Sequence, residues 1–347
     1  MSDSTQTLSA LVLVQKYRGP LVNLVNRTSV TAKLLPIKVG TGKNCSWGVK
    51  TTGIISENYS EGADAANFGS NAQIAATLNW GSYRGNAHVS GLARRAAALS
   101  DSPEGQEDIL GVNIMDAAED LTSRLNTAFF SGAGTGTTIA GFDVALGEAA
   151  NTYAGIDRSD SANAKFRPYV IDPGSSTALT FAQIRTDLST IQKNSGRRPQ
   201  IALVSLEVYN AIVALFDPTR IKYEDLVQTA RGPVQLDHSQ RGVVIENCMF
   251  IPDKDCTANE IVYLPPGDDC FLEYLPPAPT SQIERAMLNL AGAPLIPASD
   301  GFGQAPLGFE VQPLAKLGDS DRFSVVSNLQ LVVRRPNAGG IRKNVAA

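Results

Sequence analysis

Histidine, cysteine and charge are all scarce in this chain, which has two histidines, four cysteines and 18% charged residues in 347 positions. Each shortage excludes a class of chemistry. His88 and His238 stand alone, with no HExxH pair, no GxSxG turn and no cysteine–histidine grouping within local reach. Both read as surface or packing residues. Cys45, Cys248, Cys256 and Cys270 form no CxxC pair and no metal-type spacing, and read as small hydrophobes in a reducing compartment. No catalytic residue, metal site or cofactor is assigned. No run of 18 apolar residues exists, so no membrane span is expected. The opening MSDSTQTLSALVLVQ lacks a basic n-region and its apolar run is short for a signal peptide, so folding in a cytoplasm is expected. A net charge of -4 lacks the basic footprint of a dedicated nucleic-acid binder.

What charge there is leans one way. Among the 30 basic residues, 19 are arginine and 11 lysine. Arginine is favoured and lysine depleted in protein–protein contacts, because the planar guanidinium is weakly hydrated and binds in a fixed fork. Low charge with arginine over lysine suits a chain with much of its surface in subunit contacts; host compositional bias gives the same signal. Hydrophobic residues reach 43%, enough for a sizeable core.

The stretch Ser102 to Gly132 organises the rest. Ser102 is an N-cap candidate, Pro103 suits the first helical position, and Glu104, Glu107 and Asp108 complement the helix dipole. Leu110, Ile114, Ala117, Leu121, Leu125 and Ala128 form one stripe at helical spacing, and Gly132 suits a left-handed C′ position. A helix over 103–130 would span about 40 Å and cross a whole domain as a spine.

Before the spine, residues 1 to about 42 read as an arm with too little apolar content to fold alone. Trp47 to Ser56 and Gln73 to Ser90 read as two strands joined by a polar, glycine-rich tip over 57–71. Such a hairpin is marginal alone and must lean on a neighbour in the same chain or another. After the spine, residues of about 140 to 305 alternate helix and strand as a mixed α/β unit. The pattern predicts a helix over 180–193 with Phe181, Ile184, Leu188 and Ile191 on one face, a strand over 199–204, and a second helix capped by Ser205. Strands are expected at 242–251 and 260–264. Phe309 to Lys316 and Arg322 to Arg335 alternate as a closing hairpin, and GGIRKNVAA reads as a loose tail.

Two glycine-rich segments invite a nucleotide reading and fail it. GAGTGTT (132–138) follows a helix and has no lysine after its last glycine; GTGKN (40–44) has Ile37 where the first loop glycine belongs and Asn44 in place of Ser or Thr. Both read as turns. The acidic pairs Asp268–Asp269 and Asp319–Asp321 read as turn residues, and Arg94–Arg95 and Arg334–Arg335 as solvated or intersubunit salt-bridge residues.

Taken in order, the chain gives an arm, a long hairpin with a loose tip, a long spine helix, a glycine turn, an α/β unit and returning strands. This order, with SGAGTGTTIAGFDVAL after the spine, NTYAGIDRS at 151–159, FAQIRTDLSTIQKNSGRRPQIALVSLEVYNAI and the closing RRPNAGGIRKN, resembles the major capsid proteins of tailed bacteriophages, with the Hong Kong 97-type fold also found in encapsulins. The resemblance implies an α+β fold with an amino-terminal arm at 1–46, an extended loop at 47–90, a peripheral domain at 91–140 and 306–347, and an axial domain at 141–305. It implies a non-enzymatic shell subunit that partners itself in hexamers and pentamers around double-stranded DNA, touched weakly and without sequence preference. It also implies assembly in a host cytoplasm, a portal, optional cement proteins and, since no coiled-coil region stands before the arm, a separate scaffolding protein. Some relatives crosslink a loop lysine to an asparagine. Here Lys50 lies at the hairpin base and Asn337 and Asn344 in the tail, so no residue is carried over. Asp157 and Arg158, in the turn of NTYAGIDRS, are the candidate intersubunit pair, and reversing the charge of Arg158 is expected to impair assembly without unfolding the monomer. The alternatives are an encapsulin-like nanocompartment shell and, third, a soluble α/β enzyme.

Overall fold

A computed structural model of the chain describes residues 30–51, 58, 60–61, 73–92, 95, 109–216, 223–224, 226–229, 232–235, 242–275 and 309–346. The arm before Val30, most of the hairpin tip, the Ser102–Pro103 cap, Arg94, Asp217–Pro218 and His238 lie outside the described residues.

The spine helix is seen from Ile109 to Ser131, 23 residues and so about 35 Å. Ala117, Leu121 and Leu125 of the stripe are buried, and burial continues through Phe129 and Phe130. The helix ends differently from expectation. Gly132 is not left-handed; it is required because a Cβ there would stand 2.3 Å from the Ile139 carbonyl oxygen and 2.5 Å from that of Ala128. The chain then doubles back. The Gly134 N–H donates to Ile139 O (3.0 Å) and the Gly141 N–H to Gly132 O (2.8 Å). GAGTGTT is therefore a tight return, as its reading as a turn expects. Gly132→Ala should cost about 1–3 kcal/mol, because backbone on both sides of the turn must yield. The check is a lowered urea midpoint with an unchanged slope.

A five-stranded sheet packs on the spine. Its central member is the long strand Ser320–Val333. Cys270–Tyr274 and Glu310–Leu317 pair with that strand antiparallel, Gly81–Ser90 pairs with it over Ser320 to Leu329, and Ile37–Val39 joins Cys270–Tyr274 in parallel. The returning hairpin expected at 309–335 is thus present. The expected single strand over 73–90 is instead two. Gln73–Asn79 pairs with Asn44–Lys50 to form the hairpin base, and after Trp80 the chain enters the large sheet. The break follows from packing at Gly81, where a Cβ would lie 2.6 Å from the Ile139 side chain and 2.9 Å from Leu329 O.

A seven-stranded sheet forms the second layer, in the order Tyr223–Glu224, Gly242–Ile245, Cys248–Pro252, Ile201–Val204, Ile261–Leu264, Gly340–Arg342, Tyr169–Ile171. The helix Phe181–Ser195 covers it with Ile184, Leu188 and Ile191 fully buried. Thr180 and Gln183 form a reciprocal capping box, and Gly196 closes the helix at φ +74°. Ser205 caps Leu206–Ala214 as expected, accepting from the Val208 N–H. Two expectations are corrected. The strand at 242–251 is a hairpin, turned at Glu246 and Asn247 with φ of +53° and +62°. The carboxylate of Glu246 is held there by Arg185 and Arg198 at 2.9 and 3.0 Å. The tail is not loose either. Gly340–Arg342 is a buried strand between Ile261–Leu264 and Tyr169–Ile171, and Val345–Ala346 pairs with Thr177–Ala178. It is held because Arg342 meets Asp187 of the capped helix in a fork of 2.6 and 2.7 Å.

The two sheets therefore do not follow continuous ranges of sequence. Cys270–Tyr274 lies in the spine's sheet and Gly340–Arg342 in the other, so the chain crosses between layers more often than the ranges 141–305 and 306–347 imply.

Candidate functional site

Among the described residues, the reactive groups singled out from the sequence are buried thiols, an exposed histidine and paired charges. All four cysteines are buried, and burial pushes each thiol well above its ordinary range. His88 is an exposed strand residue opposite Arg322. No group of three His, Cys, Asp or Glu could hold a metal among the described residues. Asp269 accepts from Arg197 at 2.8 Å, and Asp319 faces Arg95 at 3.4 Å. Arg334 lies over the Phe271 ring with Lys38 also on that ring, and Arg335 donates to Ser195 O. Arg95, Arg334 and Arg335 each have a partner within the chain. No described helix is long and apolar enough to cross a membrane.

The distinctive feature is a hairpin with one seat. Cys45, Ala76 and Leu78 are buried at its base, and the Thr77 N–H donates to Ala154 O at 2.8 Å. Ala154 belongs to a second, miniature hairpin, Thr152–Tyr153 with Ile156–Asp157, turned by Ala154 and Gly155 at φ +52° and +75°. Tyr153 is the hub. It lies 6.4 Å from Trp47 of the extended hairpin, stacks on Phe166, and its hydroxyl accepts from the Val333 N–H of the long strand at 3.0 Å. Tyr153 thus anchors the hairpin where it leaves the large sheet, together with Gln330, whose Nε2 donates to Asn79 O at 2.6 Å.

Arg158 holds that hub from behind, and here the structure corrects the sequence. Its side chain is fully buried. The guanidinium donates to Ala145 O (2.7 Å), Val144 O (2.6 Å) and Asn151 O (3.2 Å), and to the Asn151 Oδ1, and sits 5.3 Å from the Tyr153 ring centroid. Burial lowers its pKa to about 10, still cationic at neutral pH. It offers no surface to another subunit, because its fork is spent on four oxygens of its own chain. Asp157 is not its partner. That carboxylate is exposed and accepts from the Ser159 N–H and hydroxyl at 2.8 and 2.7 Å, which lower its pKa.

A second junction ties the spine to the seven-stranded sheet, and sequence reasoning passed over it. Asp253 follows the strand Cys248–Pro252, is buried, and accepts from Asn126 of the spine at 2.9 Å and from Thr31 at 3.0 Å. Asn126 also donates to Asp255 at 2.7 Å. An asparagine inside the apolar face of the spine was the available signal. Nearby, Glu260 is buried with Oε2 unpartnered among the described residues. Burial and then the Asp143 carboxylate raise its pKa to about 7, with Lys343 opposing and Asp172 adding. A carboxyl raised in the folded state binds more protons than in the unfolded one, so stability is lost as pH rises from about 4.5 to 7. After allowance for solvent screening the loss should be on the order of 1–2 kcal/mol. Glu260→Gln should flatten that slope, as read by thermal melts between pH 4.5 and 8.

No family model matches the chain, and no curated protein matches it in sequence. Solved structures do match over almost its full length. The cyanophage A-1(L) capsid protein superposes with a TM-score of 0.67 at 17% identity, over 94% of this chain and 98% of that one. This is a capsid fold. The capsid of an empty GTA particle shares it at a TM-score of 0.60 and 14% identity, over 96% of each chain. An encapsulin, SrpI of Synechococcus elongatus PCC 7942, shares it at 0.52 and 12%, over 99% of this chain and 96% of that one. Within this capsid fold the long helix, the sheet on which it packs and the projecting hairpin are the features described above.

Proposed function

We propose that the chain is the major capsid protein of a tailed bacteriophage, a non-enzymatic subunit of the Hong Kong 97 type that assembles with copies of itself into an icosahedral head around double-stranded DNA. The observation that carries this reading is the full-length likeness to phage and particle capsids, at coverage above nine-tenths on both sides. The projecting hairpin supports it. Its base is seated through Tyr153 and Thr77, while alternate side chains along Gln73–Asn79 remain exposed. Uncovered strands of this kind gain stability when a neighbouring subunit covers them.

In this reading 1–46 is the arm, 47–90 the extended loop, 91–140 with 306–347 the peripheral domain and 141–305 the axial domain, with Cys270–Tyr274 and Gly340–Arg342 exchanged between the last two. Axial domains meet around five- and six-fold axes, and exposed Asp157 is a candidate contact. A separate scaffolding protein, a portal and cement proteins are partners of the same reading, as is weak contact with packaged DNA in a virion assembled in a host cytoplasm. The likeness to an encapsulin supports a second reading, a nanocompartment shell. Negative-stain electron microscopy of the purified chain, alone and coexpressed with a candidate scaffolding protein, separates the outcomes. Shells or capsomer rings that need the scaffold fit a phage head. Closed DNA-free shells from the chain alone favour the nanocompartment, and a persistent monomer under both conditions overturns both.

A further inference from the structure

Between the spine and the edge strand Gly81–Ser90 lies a cavity of about 320 Å³. Its charged lining is Arg84 from the strand and Arg124 from the spine, with no acidic residue beside them. Most other described arginines are spent on oxygens of the chain itself, Arg185 and Arg198 on Glu246, Arg197 on Asp269 and Arg342 on Asp187. Arg84 and Arg124 have no carboxylate or carbonyl partner among the described residues. Two like charges in one cavity repel each other, and both side chains are open to solvent, so an anion can enter between them. The rest of the lining adds donors in fixed positions. Arg124 rests on the Tyr83 ring, 5.9 Å from its centroid, and the Tyr83 hydroxyl is pinned by the Ile139 N–H at 3.2 Å. Asn86 has its Oδ1 taken by the Ser324 hydroxyl, which leaves its amide nitrogen to donate. The Thr137 carbonyl accepts from the Ser82 N–H at 2.9 Å, which draws the glycine turn against the strand and sets the Ser82 and Thr137 side chains on the same cavity. The Thr138 hydroxyl is instead consumed within the turn, donating to Thr135 O at 2.7 Å.

We propose that this cavity is a phosphate site, in which Arg84 and Arg124 grip one phosphate group from two elements while the Asn86 amide and the Ser82 and Thr137 hydroxyls donate to its remaining oxygens. The donor set selects the ligand. A carboxylate offers two oxygens, and a single guanidinium fork engages both. Two forks, an amide and two hydroxyls match the larger number of oxygens on a tetrahedral phosphate, a group whose geometry the guanidinium fits. A volume near the lower end of small-molecule sites also admits the atoms that a phosphate ester carries. The phosphate can come as a free ion or small ester, or from a nucleic-acid backbone, and the same donors serve each. The site needs only the folded chain and no shell, so its test stands apart from the capsid reading.

Isothermal titration calorimetry of the unassembled full-length chain with inorganic phosphate, at an ionic strength held constant with chloride, is the test. Saturable binding at one site per chain is expected. Arg84→Gln and Arg124→Gln should each weaken it at least about tenfold, because each removes charge-assisted hydrogen bonds. Asn86→Asp keeps the side-chain shape and sets a carboxylate among the donors, so it should weaken binding by a similar factor while its melting curve in chloride matches the wild type. No saturable binding to the wild type overturns the proposal, as does undiminished binding to the chain carrying both arginine substitutions. A response that chloride reproduces at equal ionic strength overturns it too, since screening alone then accounts for it. A short DNA duplex added as competitor names the source. Displacement of inorganic phosphate by the duplex, lost in the same variants, assigns the site to a nucleic-acid backbone. Phosphate binding unaltered by the duplex assigns it to free phosphate, and both results uphold the site.

Discussion

Arg158→Met is expected to destabilise the isolated subunit by about 3–5 kcal/mol, before any question of assembly arises. The methionine keeps much of the apolar stem and removes the donors. Ala145 O and the Asn151 Oδ1 would then lose their donor, whereas Val144 O keeps the Asn151 side-chain amide and Asn151 O keeps the backbone N–H of residue 158. A buried acceptor left unpaired costs about 1–3 kcal/mol, and part of the loss here is recovered by local rearrangement. Lysine should rescue only partly, since a single ammonium cannot span acceptors that the fork reaches with three nitrogens. Urea unfolding of unassembled protein is the measurement, with Asp157→Ala as the control. Asp157 holds one exposed turn through Ser159, so its loss should cost about 1 kcal/mol or less. An Arg158→Met variant with a wild-type urea midpoint and no shells would restore Arg158 to an intersubunit role.

The consequence extends to the hairpin. Tyr153 touches Trp47, Phe166, Arg158 and the Val333 N–H at once. Loosening Arg158 therefore frees the seat from which the extended loop projects. A shell needs that loop aimed in one direction, and a rotation at the hub would turn the strands Asn44–Lys50 and Gln73–Asn79 that lead into it. Stability and assembly should fail together in variants of this hub.

What could be read in the sequence was whatever a local period or cap declares. The spine showed itself through Leu121 and Leu125, the capped helix through Thr180, Ile184, Leu188 and Ile191, and the closing hairpin through alternation around a turn. Features set by distant partners were not readable. The inward residues fall on even positions in Gln73–Asn79 and on odd ones in Gly81–Ser90, and the division falls at Gly81 because of Ile139 and Leu329, residues far along the chain. Gly340–Arg342 has three residues and starts with glycine, too little for a strand signal. That glycine is there because a Cβ would stand 2.0 Å from Tyr169 O in the neighbouring strand. Arg158, next to Asp157 in a polar turn, has the local signature of a surface pair. Only the fold shows that the two side chains part, one inward and one outward. The same blindness applies to Asn126, Asp187 and Asp253, polar residues in apolar company whose partners lie 76 to 222 positions away.

The buried pair of Asp187 and Arg342 gives the sharpest energetic test, because each single change should cost more than changing both. Asp187 is fully buried and Arg342 nearly so. The carboxylate accepts both arms of the guanidinium fork and the Tyr263 hydroxyl at 3.1 Å. Arg342→Met would leave a buried carboxylate with only the Tyr263 hydroxyl, a loss of about 3–5 kcal/mol. Asp187→Leu would strand the guanidinium, at a somewhat lower cost because Arg342 lies nearer solvent. Making both changes removes both charges and leaves one unpaired hydroxyl, so the double variant should lie within about 1–2 kcal/mol of the wild type. Urea unfolding of the four proteins closes the cycle, and a coupling of several kcal/mol is expected. Additive losses would mean that the fork contributes nothing as a pair. If the cycle behaves as expected, the bridge adds little net stability to the fold and does something else. It fixes which residues of a three-residue, glycine-led strand enter a seven-stranded sheet beside its edge strand Tyr169–Ile171. The double variant should then stay folded while its final strand exchanges amide hydrogens faster, because hydrophobic contact alone does not set the register of so short a strand.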